Sequence, residues 1–343
     1  MATNTSATLS PMVNTYAVRK FLRRAQPGLV TERFGQKDNQ PKNKGKVRKY
    51  RRYEALPVAI APLSEGVTPE ADMLTLTDVE VTLEQFGSWV KITDVIADTH
   101  EDPVLNETVK LCGEQAAAVV EKVRISRLKA GTNVFFANGV ASRDAVITTV
   151  KPTDLKLVER TFNRHGAKTI SQIIKATPNV ATEPVPPAYF AMCHTDLRDD
   201  LYAIAGFTRV ENYGSAEKAI EHEIGRYGSI RFVCPPMLFE PWLAAGAATS
   251  SAFLSNGVDP SGNAACDVYP IIIVARDAYG IVPLQGMGAA QITVMNPNQP
   301  DKADPLNQWG LVSWKIYQAI VILNQMFMAR IECACTAVPA VAA

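Results

Sequence analysis

The chain is poor in the residues on which most enzymatic and metal chemistry is built. Histidine occurs four times in 343 residues and cysteine six times, at Cys112, Cys193, Cys234, Cys266, Cys333 and Cys335. Only the last two cysteines are close, and a CxC pair with no further Cys or His beside it does not make a zinc site. Scattered thiols behind a polar start, "MATNTSATLS", with no signal sequence are expected to be reduced and mostly buried, as in a cytosol-made protein. Long apolar runs are also missing. The longest, "IYQAIVILNQMFMA" from Ile316 to Ala329, is broken by Gln318, Asn324 and Gln325 and is shorter than the roughly 20 residues of a membrane span. No membrane segment is expected, and no internal repeat is found. The net charge of +1 excludes a generally basic, nucleic-acid-coating protein.

The few chemistry-bearing residues do not assemble into a motif. His222, in "EHEIGRYG", lacks the second histidine that a zinc-protease helix requires. His194 lies between Cys193 and Asp196, the composition of a thiol nucleophile with a base, but consecutive residues on a strand face opposite ways. A thiol hydrolase at Cys193 is therefore the weakest reading. His100 and His165 sit at element ends without an evident partner. The "GMG" at Gly286 and "GRYG" at Gly225 lack a Lys-Ser/Thr phosphate cradle, and the carboxylates between Glu65 and Asp102 lack calcium-loop spacing. No catalytic residue, metal or cofactor is expected.

What is present is a core and an uneven distribution of charge. With 47% hydrophobic and 20% charged residues, the chain forms one large domain or two to three subdomains. From Arg19 to Arg52 it carries thirteen basic and two acidic residues; from Glu54 to Glu107, twelve acidic and one basic. The switch falls within "KGKVRKYRRYEALP". Interleaved Lys/Arg and Tyr can bind single-stranded nucleic acid by charge and stacking, so the basic 42–52 segment is an alternative nucleic-acid site. The favoured reading is that basic and acidic segments form one hairpin and neutralise each other, within it or between neighbouring copies.

The patterning predicts an α+β fold. Residues 1–45 read as an arm without a core of its own, with a small helix around "YAVRKFLRRA". From Lys46 to Ile60, and again through "LTLTDVEVTLEQFGSWVKITDVI", aromatic and β-branched residues alternate as in strands. These predict a ladder of about 12 residues, too long to stand alone, for which a neighbouring subunit is a natural support; Gly87 reads as a turn or bulge. Asp102-Pro103 opens a helix to about residue 130, ended by Gly131, with Leu105, Val109, Cys112, Ala116, Val119, Val120 and Val123 on one face. Further on, the sequence predicts a helix over 153–165 capped by Gly166, a buried strand "AYFAMCH", a helix "TDLRDDLYAI" and strands "IRFVCP", "YPIIIVARDAYG" and "AAQITVMN". The run from Gln308 to Cys335 suits a core strand or a helix equally.

The order of features resembles the major capsid protein of tailed bacteriophages, the Hong Kong 97 type shell fold, and within it the N-four type of capsid family. "RRYEALPVAIAPLSEGVTPEA", "VTLEQFGSWVKITDVIADTHEDPVL", "HEIGRYGSIRFV", "VYPIIIVARDAYGIVPL" and "DPLNQWGLVSWKIYQAIVILN" carry the resemblance together, from Arg51 to Asn324. It implies an N-terminal arm (1–45), an extended loop (46–100), a peripheral domain (101–194) with a spine helix over 102–130, a mainly axial domain (195–290), and return strands with a C-terminal tail (291–343). It implies a structural protein rather than an enzyme, made in the host cytoplasm and located in the virion capsid, that self-assembles into hexamers and pentamers of an icosahedral head. Its partners would be further copies of itself, a portal, a separate scaffold protein, a decoration protein and double-stranded DNA bound non-specifically. Arg48, Lys49, Arg51, Arg52, Glu65, Glu70, Asp72, Glu80 and Glu84 are the residues expected at contacts between subunits.

Overall fold

A computed structural model describes residues 29–54, 71–94, 104–174, 182–214, 219–235, 239–248, 252–258, 264–285, 290–295 and 308–337, with positions 56, 58, 60, 62, 65, 66, 68, 262 and 306. The expected small helix around Tyr16–Ala25 and the Asp102-Pro103 helix start lie outside these residues.

In chain order the strands are β1 (Gln36–Lys37), β2 (Val47–Tyr53), β3 (Leu76–Thr82), β4 (Glu84–Thr93), β5 (Val134–Phe136), β6 (Ile170–Ile174), β7 (Thr182–Met192) and β8 (Thr208–Arg209). They continue as β9 (Glu223–Tyr227), β10 (Ile230–Val233), β11 (Tyr269–Val274), β12 (Tyr279–Pro283), β13 (Gln291–Met295), β14 (Trp309–Ile322) and β15 (Met328–Cys333). The helices are α1 (Val104–Leu128), α2 (Pro152–Arg164) and the short α3 (Arg198–Tyr202). Among the described residues no helix is long and apolar enough to cross a membrane.

The run that suited strand or helix equally is two strands in different sheets, the 14-residue β14 and, after the turn at Gln325–Phe327, β15. In β14 the alternate residues Gly310, Val312, Trp314, Ile316, Gln318 and Ile320 are buried, the period of two that a one-sided sheet requires. Strand β4 pairs along one edge, Thr93 opposite Trp309 through Glu84 opposite Gln318. β13 and β12 follow one another along the other edge, and β1 extends the five-stranded sheet beyond β12. The buried face of β14 receives α1: Val109, Cys112, Ala116 and Val120 pack against Val312, Trp314 and Ile316, and the Trp314 indole donates to Gln115 Oε1 at 3.1 Å. At 25 residues α1 is roughly 37 Å long. It stops at Leu128, and Gly131 has a packing role, because a Cβ there would stand 2.3 Å from Met328 Cε.

The second sheet has eight strands, in the order β5-β15-β11-β7-β10-β9-β8 with β6 also paired to β7. Its interior strand β11 is buried throughout. One face is covered by Leu155, Val158 and Phe162 of α2 together with Leu197 and Leu201. Helix α2 matches expectation: Pro152 opens it, Asp154 accepts from the Lys151 amide at 3.1 Å, and Gly166 follows its end with φ +67°. The expected helix over "TDLRDDLYAI" is a 3₁₀ turn followed by α3.

Three further expectations are corrected. "YPIIIVARDAYG" is two strands in different sheets, because the chain turns at Asp277 (φ +58°) and crosses from β11 to β12. The crossing is tied to the return crossing from β14 to β15, since the Ala278 carbonyl accepts from the amides of Leu323 (2.9 Å) and Asn324 (3.2 Å). Gly87 is neither turn nor bulge; it lies in regular register opposite Lys315, where a Cβ would come within 2.7 Å of the Trp314 carbonyl oxygen. Among the described residues the hairpin ladder has seven residue pairs, against about 12 expected.

The last part of the arm is held inside the fold. Val30, Thr31, Arg33, Phe34 and Gln40 are buried, and Phe34 stacks on Phe190 at 4.5 Å between ring centres. A polar knot fixes this passage. Glu121, fully buried on α1, accepts from the Thr31 hydroxyl (2.8 Å) and amide (3.3 Å), while the Tyr279 hydroxyl donates to the Thr31 carbonyl at 2.5 Å. Arg124 reaches Glu121 (3.4 Å) and Glu32 (3.6 Å) and donates to Gln318 at 3.1 Å; Lys37 pairs with Glu32 at 2.6 Å. Burial holds the Glu121 carboxyl above the usual range despite Arg124 and Thr31. Burial also opposes the Glu32 charge, but Arg124 and Lys37 outweigh it and hold that carboxyl below the usual range. The Glu32 charge therefore stabilises the fold above the unfolded carboxylate value, and the contribution disappears as pH falls through the lowered value. Glu32→Gln is expected to destabilise the unassembled protein by about 1.5–3 kcal/mol at pH 7. Thermal melts of both proteins from pH 7 downward should show the gap closing below the usual carboxylate value.

Candidate assembly surface

The basic and acidic segments are the two strands of one hairpin. β2 and β3 pair antiparallel from Val47 opposite Thr82 to Tyr53 opposite Leu76. This register places Lys49 opposite Glu80 and Arg51 opposite Asp78. Lys49 makes an ion pair with Glu80, and Arg51 lies 3.7 Å from Asp78. Both pairs are exposed on the outward face with Val47, Tyr53 and Leu76.

The other face of the hairpin is half-buried against the protein's own body. Arg48 donates to Asp38 at 2.5 Å and Arg52 to the Leu323 carbonyl at 3.4 Å. Tyr50 stands between them, its hydroxyl pushed up to about 12 by burial and by Asp38 against the opposing effect of Arg48. Arg52 is also 3.9 Å from Glu54. The base of the hairpin thus rests on its own chain.

Its root is continuous with the five-stranded sheet. β3 ends at Thr82, the buried Leu83 breaks the ladder, and β4 carries on along β14. Glu84, the first residue of β4, lies 3.5 Å from Arg127 on α1. At the opposite end the chain between the two strands projects apolar side chains: Leu56, Val58 and Leu74 are exposed, and Ile60 and Met73 keep 87% and 88% of their surface. Glu65 and Asp72 are exposed among them; Glu70 lies outside the described residues. Apolar side chains grouped on a projecting loop mark a contact surface.

A second exposed surface was not foreseen. The face of the five-stranded sheet opposite α1 is open, and a groove of about 520 Å³ crosses it at Gly87, Thr293 and Ser313. Trp89 stands at its edge, 61% exposed, and Lys91 lies over the Trp309 ring at 4.5 Å. The signal was in "QFGSWVK", where Trp89 occupies the same strand phase as Gln85, Gly87 and Lys91, opposite to the buried Ile92.

The remaining candidates have structural settings. His194 Nδ1 lies 3.2 Å from Asp196, and the Cys193 sulfur faces Cys234. His222 occupies a left-handed turn (φ +64°) and lies 3.9 Å from Glu221. Among the described residues no group of three or more His, Cys, Asp or Glu side chains could hold a metal ion. Arg48, Lys49 and Arg51 are engaged by carboxylates of the same chain, which disfavours the 42–52 segment as a nucleic-acid site.

A family model described as phage capsid protein matches residues 76–323. Solved structures share the fold. The capsid protein of Ralstonia phage GP4 aligns with a TM-score of 0.62 at 11% identity, covering 91% of this chain and 92% of that one. The head protein of Helicobacter pylori bacteriophage KHP40 aligns at 0.57 and 10% identity, covering 89% and 88%. The capsid protein of cyanophage P-SCSP1u aligns at 0.55 and 13% identity, also covering 89% and 88%. No curated protein sequence matches the chain.

The hairpin geometry separates seating residues from surface residues. Arg48→Ala is expected to raise amide exchange in β2 and β3 about tenfold, the equivalent of one charge-assisted hydrogen bond. Arg51→Ala should leave exchange nearly unchanged, because an exposed pair at 3.7 Å contributes little. Hydrogen–deuterium exchange on the unassembled protein distinguishes the two.

Proposed function

The chain belongs to the phage capsid protein family, and we propose that it builds an icosahedral head shell as hexamers and pentamers whose adjacent copies are joined through the projecting hairpin. The observation that carries this reading is the hairpin itself: a base seated on its own body, two basic residues of one strand paired with two acidic residues of the other, and a tip whose apolar side chains stay exposed among the described residues. In this reading residues 46–100 are the extended loop, resting on a neighbouring copy. The segment 101–194 is the peripheral domain with its spine helix over 102–130, 195–290 is mainly the axial domain near capsomer centres, and 291–343 supply the return strands and tail. Residues 1–45 form the arm.

Lys49, Arg51 and Glu80 on the outward face, with Glu65, Glu70 and Asp72 in the loop sequence, make the charged contacts to the neighbour. Arg48, Arg52 and Glu84 set the angle at which the hairpin leaves the body. Each exposed ion pair contributes little, but a closed shell repeats it, and linked weak contacts multiply. The chain acts as a structural subunit without a catalytic centre. Made in the host cytoplasm, it assembles with a scaffold protein, a portal and a decoration protein, and meets packaged double-stranded DNA non-specifically through inward-facing basic residues, with strong salt dependence.

Electron microscopy and sedimentation of the protein, alone and with candidate scaffold, test the reading. Closed shells, tubes or hexamer-sized rings are expected, and a monomer or dimer under every condition would overturn it. A variant carrying Val58→Asp and Met73→Asp should fold with stability within about 0.5 kcal/mol per substitution, since both positions are exposed, yet fail to close shells.

A further inference from the structure

Four of the six cysteines, Cys193, Cys234, Cys333 and Cys335, lie in one core cluster against the eight-stranded sheet. Two of them are brought together by strand register. β7 and β10 run parallel with Met192 opposite Val233, so the next residue on each strand sets Cys193 beside Cys234. The Cys193 amide donates to the Val233 carbonyl at 3.2 Å, which keeps the strands together at that point. Neighbouring strands stand about 4.8 Å apart, within the roughly 4.4–6.8 Å between Cα atoms that a disulfide spans. The two sulfur atoms are 2.9 Å apart and both side chains are buried, closer than two thiols in van der Waals contact. No described third ligand joins them in a metal-binding group.

We propose that Cys193 and Cys234 form an oxidation site that closes to an intrachain disulfide once the protein leaves reducing surroundings. The Sγ–Sγ bond forms as both S–H bonds break; two protons go to solvent and two electrons to an oxidant of the disulfide or dioxygen class. The reaction passes through a thiolate. The hydrogen bond shared with Cys234 and burial hold the Cys193 thiol well above its ordinary range, so closure is slow near neutrality and quickens as pH rises. Its effect is topological. Cys193 and Cys234 each follow the end of one of two parallel strands, and the bond closes a loop that contains the crossover and β10, restricting the unfolded chain. The inference rests on strand register and the sulfur separation and is independent of how the protein assembles.

The parent protein decides it. Full-length protein is purified with reductant, exposed to glutathione disulfide at neutral and raised pH, then unfolded with iodoacetamide and no reductant. Of six cysteines, the four outside the bridge should be alkylated, a peptide map should join Cys193 to Cys234, and Tm should rise and fall back on reduction. Closure should be faster at the higher pH. Cys234→Ala should leave all five remaining cysteines alkylated and abolish the Tm rise. Six alkylated cysteines after prolonged oxidation at raised pH, or a bridge joining any other pair, would overturn the proposal.

Discussion

The fold depends on β14 being bonded along both edges while it buries only one face. β4 takes one edge of the strand, β12 and β13 share the other, and α1 covers the buried side. Because β4 is the continuation of β3, the projecting hairpin shares a strand with the most heavily bonded part of the sheet. A hairpin of seven pairs is marginal in isolation. Here it inherits its direction from β14 and its seat from Arg48 and Arg52.

The two sheets are held together by polar contacts as well as by apolar packing. The crossings at Ala275–Ala278 and Leu323–Phe327 bond to one another, and the knot of Glu121, Arg124, Thr31 and Tyr279 joins helix, arm and sheet. A second buried carboxylate, Glu332, is gripped by Arg143 at 2.6 and 2.9 Å and by Arg330 at 2.8 Å, with the Arg143 guanidinium 3.8 Å from the Trp242 ring centre. Buried charges are costly unless fully partnered, and their partners admit few alternative geometries. Each carboxylate is thus a positional constraint as much as a source of stability.

Much of this was legible from local pattern. Helix α1 could be read from its apolar spacing, α2 from the cap at Gly166, and the hairpin from the charge reversal at Glu54. The sequence was silent where the deciding neighbour is remote. Gly87 resembles a turn until the Trp314 carbonyl lies against it, and "YPIIIVARDAYG" reads as one strand until its two halves join different sheets. The Gln308–Cys335 run favours neither state locally; cross-strand bonding made it two strands, its first part to β4 and its last part to β11. Nor could the arm's passage between helix and sheet be read, because Thr31 and Glu121 are 90 residues apart.

The alternation of the hairpin also limits how its length can change. Arg48, Tyr50 and Arg52 face the body, and Lys49 and Arg51 face out. Inserting one residue between Lys46 and Arg48 would invert the strand, turning the paired outward charges onto Asp38 and Leu323 while exposing Tyr50. Two residues, matched by two on β3, would preserve both faces and lengthen the reach by about 7 Å. Variation in this element is therefore quantised in matched pairs, so descendants of the chain can alter how far it reaches without altering which side it presents.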